Sequence, residues 1–351
     1  MEYIDDSEEQ RILSDLFDEL YYGNDSYAYD NCCDEEDICN PSEGMSFEAI
    51  FVPVLYSVAF VVGILGNGLL LGVLFQSRRN WSVTDTFILH LGVADILLLL
   101  TLPLWAAQSA SEKGWTFYNP LCKITGTLFT INFYCGIFLL ACISLDRYLS
   151  IVHATQICLV VWLFSLLLSI PDWIFLEVVS DERRGKAECV RNYYKFGQKP
   201  SSSLKTAARG LYHAVGFLLP SAVLIFCYSS ILWQLRCGTQ GLQKQRAFKV
   251  IIAVVAVFFI CWTPYNITLM VDTIRQNNDS SPCEMNTSLD KALLVTSSLG
   301  YLHCSLNPIL YAVVDVKIRR QLLNILRSLG CKQRTHKPKC ASSFWSELQR
   351  G

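Results

Sequence analysis

Seven stretches of this chain, at 50 to 76, 84 to 108, 122 to 150, 157 to 179, 207 to 235, 247 to 274 and 289 to 314, are apolar over lengths that suit a bilayer. A helix needs roughly 20 such residues to cross the hydrocarbon. A chain with seven spans has little choice of architecture, because each backbone polar group inside lipid must be satisfied within its own segment. The expected fold is an all-α membrane protein, a seven-transmembrane helix bundle whose connections carry little structure of their own. Composition agrees, since 52% hydrophobic residues and 17% charged ones are too apolar a mixture for a water-soluble chain of 351 residues.

Charge orients the bundle. The formal net charge of -2 hides an acidic front and a basic back. Residues 1 to 49 hold 16 acidic residues and one basic one, whereas 317 to 351 hold nine basic and one acidic. Arg78, Arg79, Arg236, Lys244, Arg246 and Lys249 fall in short loops on the side of the basic tail, which places that side in the cytoplasm and the N-terminus outside. The segment from Glu177 to Arg209 runs against the rule, with eight basic and four acidic residues on the outer side. Met1 opens an acidic stretch with no apolar core, so the first span is expected to direct insertion itself. The domain reading is a disordered acidic tail at 1 to 49, a helical domain at 50 to 314, and an amphipathic helix with a basic tail at 315 to 351.

Polar groups recur at set places in the spans. Asp146-Arg147-Tyr148 closes the third span within Ile-Ser-Leu-Asp-Arg-Tyr-Leu-Ser-Ile-Val-His-Ala. The second span holds Asp95 and Thr101-Leu102-Pro103-Leu104-Trp105, the fifth Pro220 and Tyr228, the sixth Cys261-Trp262-Thr263-Pro264-Tyr265, and the seventh Asn307-Pro308-Ile309-Leu310-Tyr311. Taken singly, each proline is more often a packing kink, and an Asp-Arg pair at a membrane face is more often a snorkelling charge. Taken together, in this order, they resemble the rhodopsin-like G-protein-coupled receptors, and Ser-Ile-Val-His-Ala with Thr-Leu-Pro-Leu-Trp resembles the chemokine receptor family within them, CXC branch included.

The resemblance implies a plasma-membrane, multi-pass receptor with an extracellular N-terminus, not an enzyme. It implies a basic CXC chemokine as ligand, with a heterotrimeric G protein of the inhibitory class and arrestin inside the cell. The bilayer is a partner and nucleic acid is not. Ligand-binding residues carried over are Tyr27 and Tyr29, set among acids that suit tyrosine sulfation, Trp105, Trp115, Phe129, Asp172, Tyr265, Asp272, Asp290 and Tyr301. The three aspartates are expected to line the outer cavity and receive a basic ligand end; Gln108 stands where an acidic residue can occur. Switch and coupling residues are Asp146, Arg147, Tyr148, Tyr228, Trp262, Pro264, Asn307, Pro308 and Tyr311. A sodium ion is implied as an allosteric ligand at Asp95 and Asn307, with Gly136 where a serine ligand often occurs, and no other cofactor or metal is expected. Of the outer cysteines, Cys32, Cys33, Cys39, Cys122, Cys189 and Cys283, six allow fifteen connectivities. The family selects Cys122 with Cys189 and Cys39 with Cys283. Asn24, Asn278 and Asn286 open glycosylation sequons.

One departure stands out. After Tyr148 the chain runs through Leu149-Ser150-Ile151-Val152-His153-Ala154-Thr155-Gln156 straight into the apolar fourth span. Relatives of this kind have a basic loop and further helix there, about a dozen residues, or about 18 Å at ~1.5 Å per residue. Two arrangements are foreseen: residues 148 to 161 partly unwound, or helix four slid inward so that Pro171 and Asp172 leave the outer pocket. Either weakens coupling, with a decoy or scavenger receptor as the alternative.

Overall fold

The computed structural model describes residues 41–76, 81–149, 153–181, 186–193, 202–237, 242–276, 283–314, 318–324 and 327. The chain divides into Met1–Glu43 and Gly44–Gly351, and all that follows concerns the second unit and the first turn that enters it. Tyr27, Tyr29, Cys32, Cys33, Cys39, Asn24 and Asn278 lie outside the described residues, as do the side chains of Arg147, Tyr148, Cys283 and Asn286.

Helix α1 runs Pro41–Gln76. Helix α2, Val83–Leu99, starts on a capping box in which the Ser82 hydroxyl accepts from the Asp85 amide at 3.2 Å and the Asp85 carboxylate accepts from the Ser82 amide at 2.9 Å. The helix breaks at Leu100 and Thr101 and resumes as α3, Leu102–Ala110. Pro103 supplies no N–H there, and the Thr101 hydroxyl donates back to the Leu98 carbonyl at 2.7 Å, as the Thr-Leu-Pro sequence predicts. Helix α4 is Asn119–Leu149. Helices α5, Ala154–Leu168, and α6, Ile170–Phe175, form one span interrupted before Pro171. A hairpin follows, β1 Leu176–Asp181 antiparallel to β2 Lys186–Arg191, with Val178 opposite Cys189.

Helix α7, Ser202–His213, passes through a π-helical turn at Ala214–Leu218 into α8, Leu219–Cys237. Pro220 explains the wide turn, since it has no N–H to give the carbonyl four residues back. Helices α9, Leu242–Gln276, and α10, Cys283–Val314, carry Pro264 and Pro308 in their interiors. Residues 318–324 are helical again, and Ile318 is buried against the bundle.

Six of these spans are long and apolar enough to cross a membrane among the described residues, the first three 28 residues each. The seventh, in α10, is long enough but carries Ser298, His303, Ser305 and Asn307 on buried positions, which lowers its average hydropathy. Helix α4 is the axis of the bundle: its most apolar stretch is 78% buried, against 33% for α1 and 22% for the α5–α6 span. Those outer helices are apolar all round, and Leu159, Val160, Leu163 and Phe164 of α5 are exposed for lipid to cover.

Of the two arrangements foreseen for helix four, the unwound one is corrected. Leu149 is still helical in α4 and α5 is helical from Ala154, so no unwound climb extends to residue 161. At the outer end Lys123 of α4 donates to the Trp173 carbonyl at 2.7 Å and Asp172 pairs with Arg191 of β2, while Pro171 and Asp172 line a smaller cavity apart from the main outer one. Trp162 also donates to His90 Nδ1 of α2 at 3.2 Å. The physical reason is length: Ala154–Phe175 has 22 residues, enough for the roughly 20 that a span requires, so no unwound stretch is needed to cross.

Candidate functional site: an outer cavity above an aromatic floor

A cavity of about 530 Å³ opens at the outer end of the bundle, walled by α1, α3, α4, the hairpin, α7, α9 and α10. That volume lies within the range of small-ligand and peptide-end sites. Phe129 of α4 makes its floor. The Phe129 ring lies 5.2 Å from Trp262, 5.4 Å from Tyr265 and 4.8 Å from Tyr301, centroid to centroid, distances at which tilted rings attract. Tyr56 of α1 leans on Tyr301 at 5.2 Å and shares a 3.0 Å hydrogen bond with Ser298.

The hairpin roofs the cavity. Cys122 at the top of α4 is disulfide-bonded to Cys189 of β2, the first of the two expected bridges; the Cys39–Cys283 bridge falls on residues that are not described. The Trp115 amide donates to the Ala187 carbonyl at 2.6 Å and the Ala187 amide to the Lys113 carbonyl at 3.0 Å, which ties the first outer loop to β2. Gly114 makes that approach feasible: its φ is +71°, and a Cβ there would sit 2.1 Å from the Ala187 oxygen.

The expected ligand-binding residues divide. Trp105, Phe129, Tyr265, Asp272, Asp290 and Tyr301 line the cavity. Trp115 is 3% exposed and lies behind it, 5.4 Å from Trp105, so its role is to back the wall. Asp172 lines a separate, smaller cavity beside Tyr134, Arg191 and Tyr212. It is ion-paired with Arg191, whose other nitrogen reaches the Thr130 hydroxyl at 3.4 Å. Burial opposes the Arg191 charge, but the Asp172 carboxylate, together with Tyr265 and Tyr193, outweighs it and raises the arginine's pKa well above its ordinary value. Asp272 is likewise paired, with Arg209 of α7, which also donates to Thr273 at 2.9 Å.

Arg191, Lys205 and Arg209 were not among the residues expected from sequence. The signal was present: the basic excess between Glu177 and Arg209 that breaks the positive-inside pattern is what supplies these side chains.

Below the floor, Trp262 is fully buried, 4.9 Å from Phe133 and 6.3 Å from His303. His303 is 1% exposed, and among the described residues neither ring nitrogen is hydrogen-bonded. Asp95 accepts from Asn132 at 3.0 Å and from Asn307 at 2.7 Å, and donor atoms of Asp95, His303 and Cys304 lie within 4.8 Å of one another. The Asn307 and Asn67 side-chain oxygens are buried without partners among the described residues. A buried carboxylate with orphaned amide oxygens in the same layer suits a hard cation, which is held by oxygen ligands. Gly136 gives Phe258 room, since a Cβ there would lie 3.2 Å from its ring. At the inner end the Ser144 hydroxyl donates to the Tyr228 phenol oxygen at 2.7 Å, Thr84 donates to Asp146 at 3.4 Å, and Tyr311 is buried.

Known proteins share this plan. The family model described as 7 transmembrane receptor (rhodopsin family) matches residues 66–311, which takes in most of the core and the seventh span as far as Tyr311. The human C-X-C chemokine receptor type 3 is 41% identical, covering 98% of this chain and 95% of its own length, and that of Bos taurus is 44% identical, covering 92% of each. The human C-X-C chemokine receptor type 5 is 38% identical, covering 91% of this chain and 88% of its own length. With such relatives the chain is a multi-pass plasma-membrane protein and not an enzyme. Spans, floor, roof and comparisons converge: the chain belongs to the rhodopsin family of seven-transmembrane receptors, among its C-X-C chemokine receptors.

Proposed function

We propose that the chain captures a basic CXC chemokine through its acidic tail, sulfated at Tyr27 and Tyr29, and admits the chemokine's flexible end to the outer cavity. Binding is transmitted inward to a heterotrimeric G protein of the inhibitory class and to arrestin, with Arg147, Tyr148, Tyr228 and Tyr311 at the coupling end. The observation that carries this reading is the unbroken aromatic contact from Phe129 to Trp262, and from Trp262 to His303 beside Asp95. Pro264 lies two residues beyond Trp262 in α9, where it removes a backbone hydrogen bond and permits a hinge. A ligand pressing on the floor therefore acts on a helix that can bend. A sodium ion at Asp95 and Asn307 would hold α2 and α10 together and oppose that bending.

The test is chemokine-driven nucleotide exchange on Trp262→Ala against the unmodified chain. Loss of exchange with chemokine affinity kept within about threefold, ~0.7 kcal/mol, is the expected result. Full exchange in the variant would show that the signal takes another route.

A second reading is a decoy receptor that binds chemokine without coupling. It is favoured by the abrupt passage from Leu149 of α4 to Ala154 of α5, which removes an inner surface for partners. We place the chain between the two: a receptor that couples, with its coupling weakened by that shortening.

A further inference from the structure

The outer cavity is not the acidic socket that a purely basic ligand end would need. Three cationic side chains line it, Arg191, Lys205 and Arg209, against two acidic ones, Asp272 and Asp290. Arg191 is matched by Asp172 and Arg209 by Asp272. Lys205 has no carboxylate at ion-pair distance among the described residues; its ammonium rests 5.7 Å from the centroid of the Tyr193 ring, on a π face instead of an anion. Lys205 and Arg209 stand four residues apart on α7 and therefore share a face, an arrangement of like charges that is unfavourable by itself. Asp272 is ion-paired with the arginine and acts on the lysine only through space, from beyond ion-pair distance. Lys205 also lies in the first turn of α7, where the helix N-terminus adds positive potential.

We propose that this part of the cavity is an anion subsite, in which Lys205, backed by Arg209, takes a carboxylate or sulfonate group of the ligand. The cavity, lined by side chains of both signs, then selects a ligand end that carries an anionic group as well as a cationic one. For the identity of the ligand this rests on the receptor function proposed above; the existence of the subsite does not.

The experiment reads Lys205 directly. The full chain in lipid nanodiscs is treated with an amine-reactive ester, and acylation of Lys205 is followed by peptide mass spectrometry in the presence of p-toluenesulfonate or its uncharged analogue p-toluenesulfonamide. Occupancy slows acylation by 1 + [L]/Kd, so the sulfonate at twice its Kd slows Lys205 about threefold. The sulfonamide leaves the rate unchanged, and exposed Lys113 responds to neither. Equal rates at Lys205 with sulfonate and sulfonamide overturn the subsite. A second arm identifies the natural source of the anion by chemokine-driven nucleotide exchange on Lys205→Gln and Lys205→Arg. A loss of potency of about tenfold or more in the glutamine variant, as expected for a lost hydrogen bond to a charged group, with recovery in the arginine variant, assigns the anion to the chemokine. Unchanged potency alongside sulfonate protection assigns it to a small-molecule anion, and both results support the subsite. Absence of exchange in the unmodified chain, with sulfonate protection intact, would count against the receptor reading alone.

Discussion

Arg209 and Asp272 show how a residue's role depends on what reaches it. The two side chains are 13% and 8% exposed, so each is largely removed from water and depends on the other for its charge. Removing one member of such a pair costs about 3–5 kcal/mol in a fully buried setting, while replacing both is often close to neutral. Asp272→Asn is therefore expected to lower the thermal stability of the purified chain strongly, and Asp272→Asn with Arg209→Gln to recover most of the loss. A double variant as unstable as the sum of the singles would show that the two do not act as a pair. Asp272 was legible in the sequence as a residue near the outer end of the sixth span; Arg209 was not. Motifs and hydropathy locate a side chain along its own helix, but they do not say which long side chain from a neighbour will cross to meet it. The same limit hid Arg191, whose strand becomes a cavity wall only when Cys189 is tied to Cys122.

At the scale of elements, the breaks in the helices carry as much of the design as the helices do. The interruption between α2 and α3 turns the outer part of the second span so that Trp105 and Gln108 face the cavity, and Gln108 accepts from the Cys189 amide at 3.4 Å. Pro103→Ala restores an N–H and favours a continuous helix, which would rotate both side chains away. We expect surface expression to persist and chemokine potency to fall about tenfold, ~1.4 kcal/mol; potency within error of the unmodified chain would show that the break does not shape the site. This element was readable because proline and threonine act locally. Helix four was not, since its depth depends on contacts from Trp162 to His90 and from Lys123 to the Trp173 carbonyl that lie between segments distant in sequence. The hairpin of β1 and β2 was likewise invisible in a reading built on apolar spans.

For the whole molecule, the strongest sequence signal is the separation of charge, 16 acidic residues in the first 49 against nine basic ones in the last 35. An acidic outer segment accelerates encounter with a basic protein through long-range attraction that salt screens over about 8–10 Å. Removing residues 1 to 30 is expected to slow chemokine association and to flatten its dependence on ionic strength, measured by stopped-flow or surface binding. An unchanged rate and salt slope would place capture elsewhere. Span number, orientation and family were thus legible from composition and motif, whereas the mixed charge of the cavity required the side chains of four elements to be placed in space.

The account joins an outer half that is complete to an inner half that is shortened, and one measurement addresses that junction: chemokine-driven nucleotide exchange at matched surface expression, for the unmodified chain and for a chain with an inner loop and helix segment from a type 3 receptor inserted at Gln156–Ile157. The account predicts equal chemokine binding in the two and exchange several-fold higher in the extended chain. Exchange already at full strength in the unmodified chain, with no gain on insertion, would contradict it.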